Sequence, residues 1–211
     1  MLKDIVYEKG DISYPYILHL PEGYDASKKY PFILFLHGMG QRGNNFEHYK
    51  IALPKMLKQG YTREAIIVCP QCAGDATWNT QIPQVKEFLC DMMEKYNADE
   101  DRVLITGLSM GAYGTWELIQ MYPDIFAAAG PICGGGIPWR YNRLTKMPIR
   151  VYHGLDDDLV PHQCSEQLVD SINKAGGIVE YFPLPGVKHN SWDYAYEQAG
   201  LIDWLLEHKK A

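Results

Sequence analysis

Short apolar runs alternate with amphipathic segments along this chain. Residues 32–36 (FILFL), 65–69 (AIIVC) and 103–106 (VLIT) are continuous apolar stretches, which are typical of strands covered on both faces. Residues 83–96 instead place their apolar side chains at helical spacing. Alternation of buried strands with helices predicts an α/β fold, in which helices cover both faces of a mostly parallel central sheet.

The same pattern assigns the remaining elements. Strands are predicted over residues 13–20, 32–36, 65–69, 103–106, 126–130, 149–153 and 178–182, and helices over residues 46–58, 83–96, 110–122, 162–175 and 193–208. No repeat, low-complexity tract or flexible linker divides the chain, so residues 1–211 are expected to form a single domain. Ligands of such sheets bind at the carboxyl ends of the strands. Chemistry is therefore expected just after residues 32–36, 103–106 and 149–153.

Composition narrows the classes of partner. The 211 residues include 20 basic and 26 acidic side chains, for a net charge of −6, so nothing predicts binding to a phosphate backbone and no nucleic-acid partner is expected. Apolar runs such as PFILFL are far too short to cross a bilayer, so no membrane partner is expected. Oligomeric state stays open.

The five cysteines favour a reducing compartment. An odd number scattered through a chain of this size indicates free thiols and hence the cytoplasm. The N-terminus lacks the apolar core of a secretory signal, although a secreted mature form that has lost its leader stays open. Cys69 and Cys72 form a CxxC pair with no second ligand pair, so we interpret them as packed thiols and expect neither a metal nor a cofactor.

A candidate nucleophile follows the 103–106 strand. The pattern Gly107-Leu108-Ser109-Met110-Gly111 is a GxSxG at a predicted strand–turn–helix junction. There a tight turn can hold a serine hydroxyl above the sheet edge, in a strained backbone conformation that flanking glycines leave room for. The alternative is a glycine-rich turn with a helix-capping serine.

A serine hydroxyl needs a base that takes its proton. Of the seven histidines, His189 lies in a loop after the last predicted strand and before the last helix, from which it can reach across the sheet edge. His37 and His153 each end a strand before a glycine, which suits a structural role. His189 is therefore the predicted base; the alternative is a solvated loop histidine.

The base in turn needs a carboxylate. Residues 156–158 are three consecutive aspartates after the 149–153 strand, and spacing alone does not choose among them. The backbone N–H of Met110, directly after the serine, is predicted to donate to the oxyanion. A second donor should come from the glycine-rich loop after residues 32–36, and we assign it to the Met39 N–H.

These segments together resemble the α/β-hydrolases. The similarity covers nearly the whole chain, through KKYPFILFLHGMGQRG, DRVLITGLSMGAYGTWE, HGLDDDLVP and KHNSWDYAY. It is strongest to small serine esterases of the phospholipase/carboxylesterase, dienelactone hydrolase-like and feruloyl or acetylxylan esterase-like group. In the family pattern HGxxDxxVP the acid is the fifth position, which is Asp157 here. Dienelactone hydrolases proper use a cysteine nucleophile, so Ser109 puts that substrate in doubt.

The resemblance implies a serine carboxylic-ester hydrolase without a cofactor. Ser109, activated by His189 and Asp157, would form an acyl-enzyme with small acyl, aryl, cinnamoyl or acetyl esters, including esters carried by plant polysaccharide. Only 48 residues separate Ser109 from Asp157, too few for a large cap domain. Three tryptophans are candidates to line the substrate site, although each is also a common core residue: Trp78, Trp139 and Trp192.

Two rival functions are retained from different classes. A serine peptidase of the prolyl-oligopeptidase type shares the triad, but this chain carries no propeller domain to gate peptides. A non-catalytic binding module on a hydrolase fold would have no need to keep all three of Ser109, Asp157 and His189.

Overall fold

The computed structural model describes residues 1–210. Eight strands form one sheet: β1 (Leu2–Lys9), β2 (Ile12–His19), β3 (Tyr30–Leu36), β4 (Ile66–Pro70), β5 (Ala98–Leu108), β6 (Ala128–Ile132), β7 (Ile149–Gly154) and β8 (Val179–Leu184). The helices are α1 (Ala52–Lys58), α2 (Ile82–Lys95), α3 (Met110–Met121), α4 (Gln163–Lys174), α5 (Ser191–Asp193) and α6 (Leu201–Leu206).

The sheet order is β1-β2-β4-β3-β5-β6-β7-β8. The two pairings that involve β2 are antiparallel, and the strands from β4 to β8 run parallel. This confirms the predicted α/β class with a mostly parallel sheet. Because β3, β5, β7 and β8 run in the same direction, the loops that follow them meet at one edge.

Two apolar cores cover the two faces of the sheet. Along β3, Phe32, Leu34 and Leu36 point into one core, with α2, α3 and α4. Ile33 and Phe35 point into the other, with α1 and α6. This alternation explains why the 32–36 run is apolar throughout: both faces of the strand are buried.

The helical predictions fail where the backbone must bend. The predicted helix 46–58 is a 3₁₀ turn (Glu47–Lys50) followed by α1, with a break at the extended Ile51 and at Ala52, whose φ is 51°. The predicted helix 193–208 is likewise divided. A π turn (Tyr194–Gln198) is separated from α6 by Ala199 and by Gly200, whose φ is 64°.

The first strand, β1, is not among the elements predicted from the sequence. β1 pairs with β2 over its whole length at the edge of the sheet, and most of its side chains are exposed. Its apolar positions are therefore too few to give a strong alternation. The turn that joins the two strands contains Gly10 at a φ of 57°, a conformation that glycine adopts without strain.

Cys69 and Cys72 are buried free thiols, as interpreted from the sequence. Cys69 belongs to the core on one side of the sheet and Cys72 to the core on the other. Burial raises the pKa of Cys72 to about 11, and it also raises the pKa of Cys69. Both side chains therefore stay protonated and act as small apolar groups.

Two further observations concern the predictions about a membrane partner and about a cap domain. Among residues 1–210, no helix combines the length and the apolar character that a bilayer crossing requires. Between Ser109 and Asp157, a span that the structure describes in full, the chain forms α3, two 3₁₀ turns, β6 and β7, with no inserted cap domain.

Candidate active site

The turn between β5 and α3 holds Ser109 in a strained conformation. Its φ is 54° and its ψ is −120°, in a region that residues with a β-carbon seldom occupy. The Ser109 N–H donates to the Ile132 carbonyl at 2.9 Å, so the strained turn is tied to the end of β6. The side chain is half-buried and is presented at the carboxyl edge of the sheet.

Glycines allow this turn to pack. A β-carbon on Gly111 would collide with the backbone carbonyl oxygen of Leu36, and one on Gly107 would lie 2.5 Å from the carbonyl oxygen of Gly111. The first turn of α3 thus lies directly on the end of β3. The two glycines of the GxSxG pattern are required because the backbones touch here.

We expect Gly111→Ala to destabilise the protein strongly. The added methyl has no space because its neighbour is backbone, so the cost should reach about 3 kcal/mol, the upper end for overpacking. Gly74→Ala is the matched control, since a β-carbon there meets nothing within 4 Å. Urea unfolding of both variants checks the expectation. Equal stabilities would contradict the packing described for α3.

His189 joins the serine to a carboxylate. Its Nε2 lies 2.9 Å from the Ser109 Oγ, and its Nδ1 lies 2.7 Å from the Asp157 Oδ2. Because Nδ1 faces an acceptor, that nitrogen carries the proton and Nε2 is left to accept one from the hydroxyl. The loop before His189 packs closely on β7, where a β-carbon on Gly154 would strike the Val187 and Lys188 carbonyl oxygens.

The Asp157 side chain has no exposed surface and accepts several hydrogen bonds. Its Oδ1 accepts the backbone N–H groups of Leu159 and Val160, each at 2.9 Å. Burial alone raises the pKa of this carboxyl, but the hydrogen bonds from Val160, His189 and Leu159 outweigh it and hold the pKa below its usual range. Asp156 and Asp158 are exposed. Of the three consecutive aspartates, Asp157 alone touches His189 within residues 1–210.

The loop after β3 lies against the serine. A β-carbon on Gly38 would lie 3.5 Å from the Ser109 Cβ. Within the part of the chain that the structure describes, the backbone N–H groups of Met39 and Met110 donate no hydrogen bond, so both are free to serve a ligand. Met110 follows Ser109 directly and Met39 follows Gly38, so the two N–H groups stay the predicted oxyanion donors.

Side chains from three positions support this loop. His37 has the structural role that its position suggested, whereas the supporting role of Trp78 was not predicted. The Trp78 Nε1 donates to the His37 carbonyl at 2.9 Å. The His37 Nδ1 contacts the Gly38 carbonyl at 2.6 Å, and its Nε2 accepts the Cys72 N–H at 2.9 Å. Arg42 donates to the Met39 carbonyl at 3.1 Å. The contacts of Trp78 and Cys72 with His37 join segments distant in sequence, so no spacing pattern signals them.

The three candidate substrate-lining tryptophans take different positions. Trp192 contacts the His189 ring edge-to-face, with 5.4 Å between centroids, and lies at the site. Trp78 has no exposed surface, so it cannot line the site and instead supports the loop after β3. Trp139 is exposed but borders a cleft with Gln120 and Met121 at the far end of α3, about 16 Å along the helix from Ser109.

The loop that carries Trp139 runs away from the serine. Gln120 donates to the Ile137 carbonyl at 2.8 Å, and Arg140 pairs with Glu117 at 2.6 Å. Both contacts fix the loop against the C-terminal half of α3. Trp139 therefore lies against the C-terminal half of α3, because its loop follows the helix instead of overhanging Ser109. Its contact with substrate stays a prediction.

Two buried histidines should make the stability depend on pH. Burial lowers the pKa of His37 to about 3 and that of His48 to about 4. An unfolded chain protonates its histidines below about pH 6.5, whereas the folded protein cannot. The free energy of unfolding should therefore be highest above that pH. It should fall towards about pH 4, by up to about 1.4 kcal/mol per pH unit for each histidine.

His48→Gln provides the check. The His48 Nε2 contacts the Cys69 carbonyl at 2.8 Å, a bond that a glutamine amide can replace without titrating. Urea unfolding between about pH 6 and about pH 4.5 should give a slope shallower by up to about one proton. An unchanged slope would contradict the assignment to His48.

The chain is similar to known esterases. The model of a family described as putative esterase matches residues 11–195. A poly(3-hydroxyalkanoate) depolymerase C of Paucimonas lemoignei is 31% identical over 132 residues, 56% of this chain and 30% of the relative. A bifunctional acetylxylan esterase/xylanase of Neocallimastix patriciarum is 28% identical over 138 residues, 63% of this chain and 20% of the relative. The chain thus spans less than a third of the length of either relative.

A solved structure extends the similarity to the whole chain. The crystal structure of a thermostable esterase superposes with a TM-score of 0.87 and 30% sequence identity, covering 99% of this chain and 63% of that one. The fold that positions Ser109, His189 and Asp157 is thus also the fold of that esterase.

Proposed function

The chain belongs to the esterase family whose model it matches over residues 11–195, and on that basis we propose that it hydrolyses carboxylic esters through an acyl-enzyme on Ser109. The observation that carries the proposal is the unbroken contact from the Ser109 Oγ to His189 and on to the buried Asp157. A serine, an imidazole and an ionised carboxylate in that order form a charge-stabilised nucleophile.

The proposed reaction has two halves. His189 takes the Ser109 proton while the hydroxyl oxygen attacks the ester carbonyl, and the Met39 and Met110 N–H groups bind the oxyanion. The tetrahedral intermediate collapses when His189 returns the proton to the leaving alcohol. Water then attacks the acyl-enzyme with His189 again as base, which releases the acid and restores the serine.

The proposed substrates are esters with small acyl, aryl, acetyl or cinnamoyl groups, including those linked to plant polysaccharide. One relative is named an acetylxylan esterase/xylanase, which supports a polysaccharide-linked acyl group. The span between Ser109 and Asp157 contains no cap domain, and Trp192 lies beside His189. An uncovered site with an aromatic side chain suits an acyl ester on a bulky carrier. We propose neither a nucleic-acid partner nor a membrane partner.

Three esters and one amide test the proposal. We expect hydrolysis of p-nitrophenyl acetate and methyl ferulate, weaker hydrolysis of p-nitrophenyl octanoate, and no cleavage of aminoacyl anilides. Titration with a serine-directed phosphonate should label one residue, Ser109. Cleavage of the anilides in preference to the esters would favour the peptidase, whereas no labelling and no turnover would favour a binding module.

A further inference from the structure

A second histidine touches the buried carboxylate. His153, at the end of β7, has no exposed surface. Its Nε2 lies 3.2 Å from the Asp157 Oδ2, the same oxygen that the His189 Nδ1 contacts at 2.7 Å. The proposed mechanism gives His153 no role, and a buried polar ring against an ionised group needs one.

The contacts of the His153 ring define its tautomer. Its Nε2 faces only acceptors, the Asp157 Oδ2 and the Val160 carbonyl at 3.0 Å, so Nε2 carries the proton. Burial lowers the pKa of the ring, which keeps it neutral and leaves Nδ1 as an acceptor. Nδ1 lies 2.8 Å from the Ser165 hydroxyl.

Ser165 links this ring to the serine turn. Its hydroxyl proton faces two acceptors, the His153 Nδ1 at 2.8 Å and the Gly134 carbonyl oxygen at 2.7 Å, and is shared between them. Gly134 packs against the nucleophile turn, where a β-carbon would lie 3.0 Å from the Ser109 carbonyl oxygen. One buried chain of contacts therefore runs from Asp157 through His153 and Ser165 to the backbone beside Ser109.

We propose that His153 is a positioning residue for the reaction: it fixes the Asp157 carboxylate so that Oδ2 faces His189, and it connects that carboxylate to the Ser109 turn. The inference rests on the proposed function. Two amides hold Oδ1 and two ring N–H groups hold Oδ2. Without His153, Oδ2 keeps a single donor, the one that moves during turnover, and the carboxylate can tilt away from it.

Removal of this donor should also alter the pH dependence. A carboxylate that loses one N–H is less neutralised and attracts the protonated His189 more strongly, so the acid limb of kcat should move to higher pH. The other titratable groups around the pair come from separate elements. His162 faces His153 from the start of α4, while Tyr113 on α3 and Cys133 after β6 interact with Asp157. All three stay unchanged in the variants below.

His153→Leu removes the donor, and His153→Gln retains an amide N–H where Nε2 lies. We expect kcat for methyl ferulate to fall about 10- to 100-fold in the leucine variant, with KM little changed, because misplacement of a catalytic group costs rate more than binding. The glutamine variant should recover most of that loss and the wild-type acid limb. Ser165→Ala should give a smaller loss in kcat. This variant tests the same positioning role if His153→Leu does not fold.

His19→Leu is the matched control. His19 is also buried and makes two contacts, with the Ala65 carbonyl and the Thr62 hydroxyl, far from the serine. The His19→Leu variant should have a lower Tm but the same kcat and the same pH profile of kcat as the wild-type protein. If the His153 and Ser165 variants also lower only Tm, the positioning role is overturned. If the wild-type protein hydrolyses none of the esters, or Ser109→Ala keeps full activity, the proposed function fails instead, and the two failures are distinguishable.

Discussion

Replacement of Ser109 by alanine is expected to lower kcat for methyl ferulate by about 10⁴- to 10⁶-fold. The substitution removes the oxygen that is 2.9 Å from the His189 Nε2 and leaves the free Met39 and Met110 N–H groups in place. Alanine is the appropriate replacement because it bears a β-carbon like serine, so the strain at a φ of 54° is unchanged. Glycine would also relax that turn, so the loss of the hydroxyl could not be separated from the change in backbone strain.

The measurement pairs single-substrate kinetics with thermal unfolding. Tm should stay near the wild-type value, which shows that the loss is chemical. Ser171→Ala is the control, since that hydroxyl lies on the exposed side of α4 and donates only to the Gln167 carbonyl of its own helix. Its kcat should be unchanged. Substantial turnover by the Ser109 variant would remove the acyl-enzyme from the mechanism.

The parts of the site that the sequence predicted are those set by short-range rules. A GxSxG after an apolar strand needs only local packing to place Ser109, and parallel strands bring the loops with Asp157 and His189 to the same edge. The choice of Asp157 from three neighbours came from family resemblance, because all three aspartates follow the same strand and spacing cannot separate them. The structure buries Asp157 and exposes the other two.

The parts that escaped prediction depend on contacts between distant segments. Trp78 is 41 residues from the His37 carbonyl that it supports, and nothing in its own segment shows whether its ring faces substrate or core. Trp139 looked close to the site because its loop follows β6, but hydrogen bonds to α3 direct that loop the other way. His153 was read as structural, yet its ring reaches the same oxygen as His189.

Asp157→Asn should lower kcat by about 10³- to 10⁴-fold. The Asp157 carboxylate accepts N–H groups at both oxygens, whereas an asparagine has one oxygen and one NH₂. In either orientation of the asparagine amide, its NH₂ group faces N–H donors that a carboxylate oxygen had accepted. If it faces His189, the ring must protonate at Nε2, and the serine loses its base. Because asparagine and aspartate have the same size, the substitution should lower kcat while the protein still folds.

Asp158→Asn isolates the position within the same triplet. Asp158 is 62% exposed and lies 3.5 Å from Lys188, which is 71% exposed, and such a pair contributes little to stability in water. Its kcat should therefore stay within about twofold of wild type. Parallel kcat measurements on the two variants, with Tm as the folding check, compare one chemical change at adjacent positions. A larger loss of kcat in Asp158→Asn would assign the catalytic acid to Asp158. It would contradict the contacts described from Ser109 through His189 to Asp157.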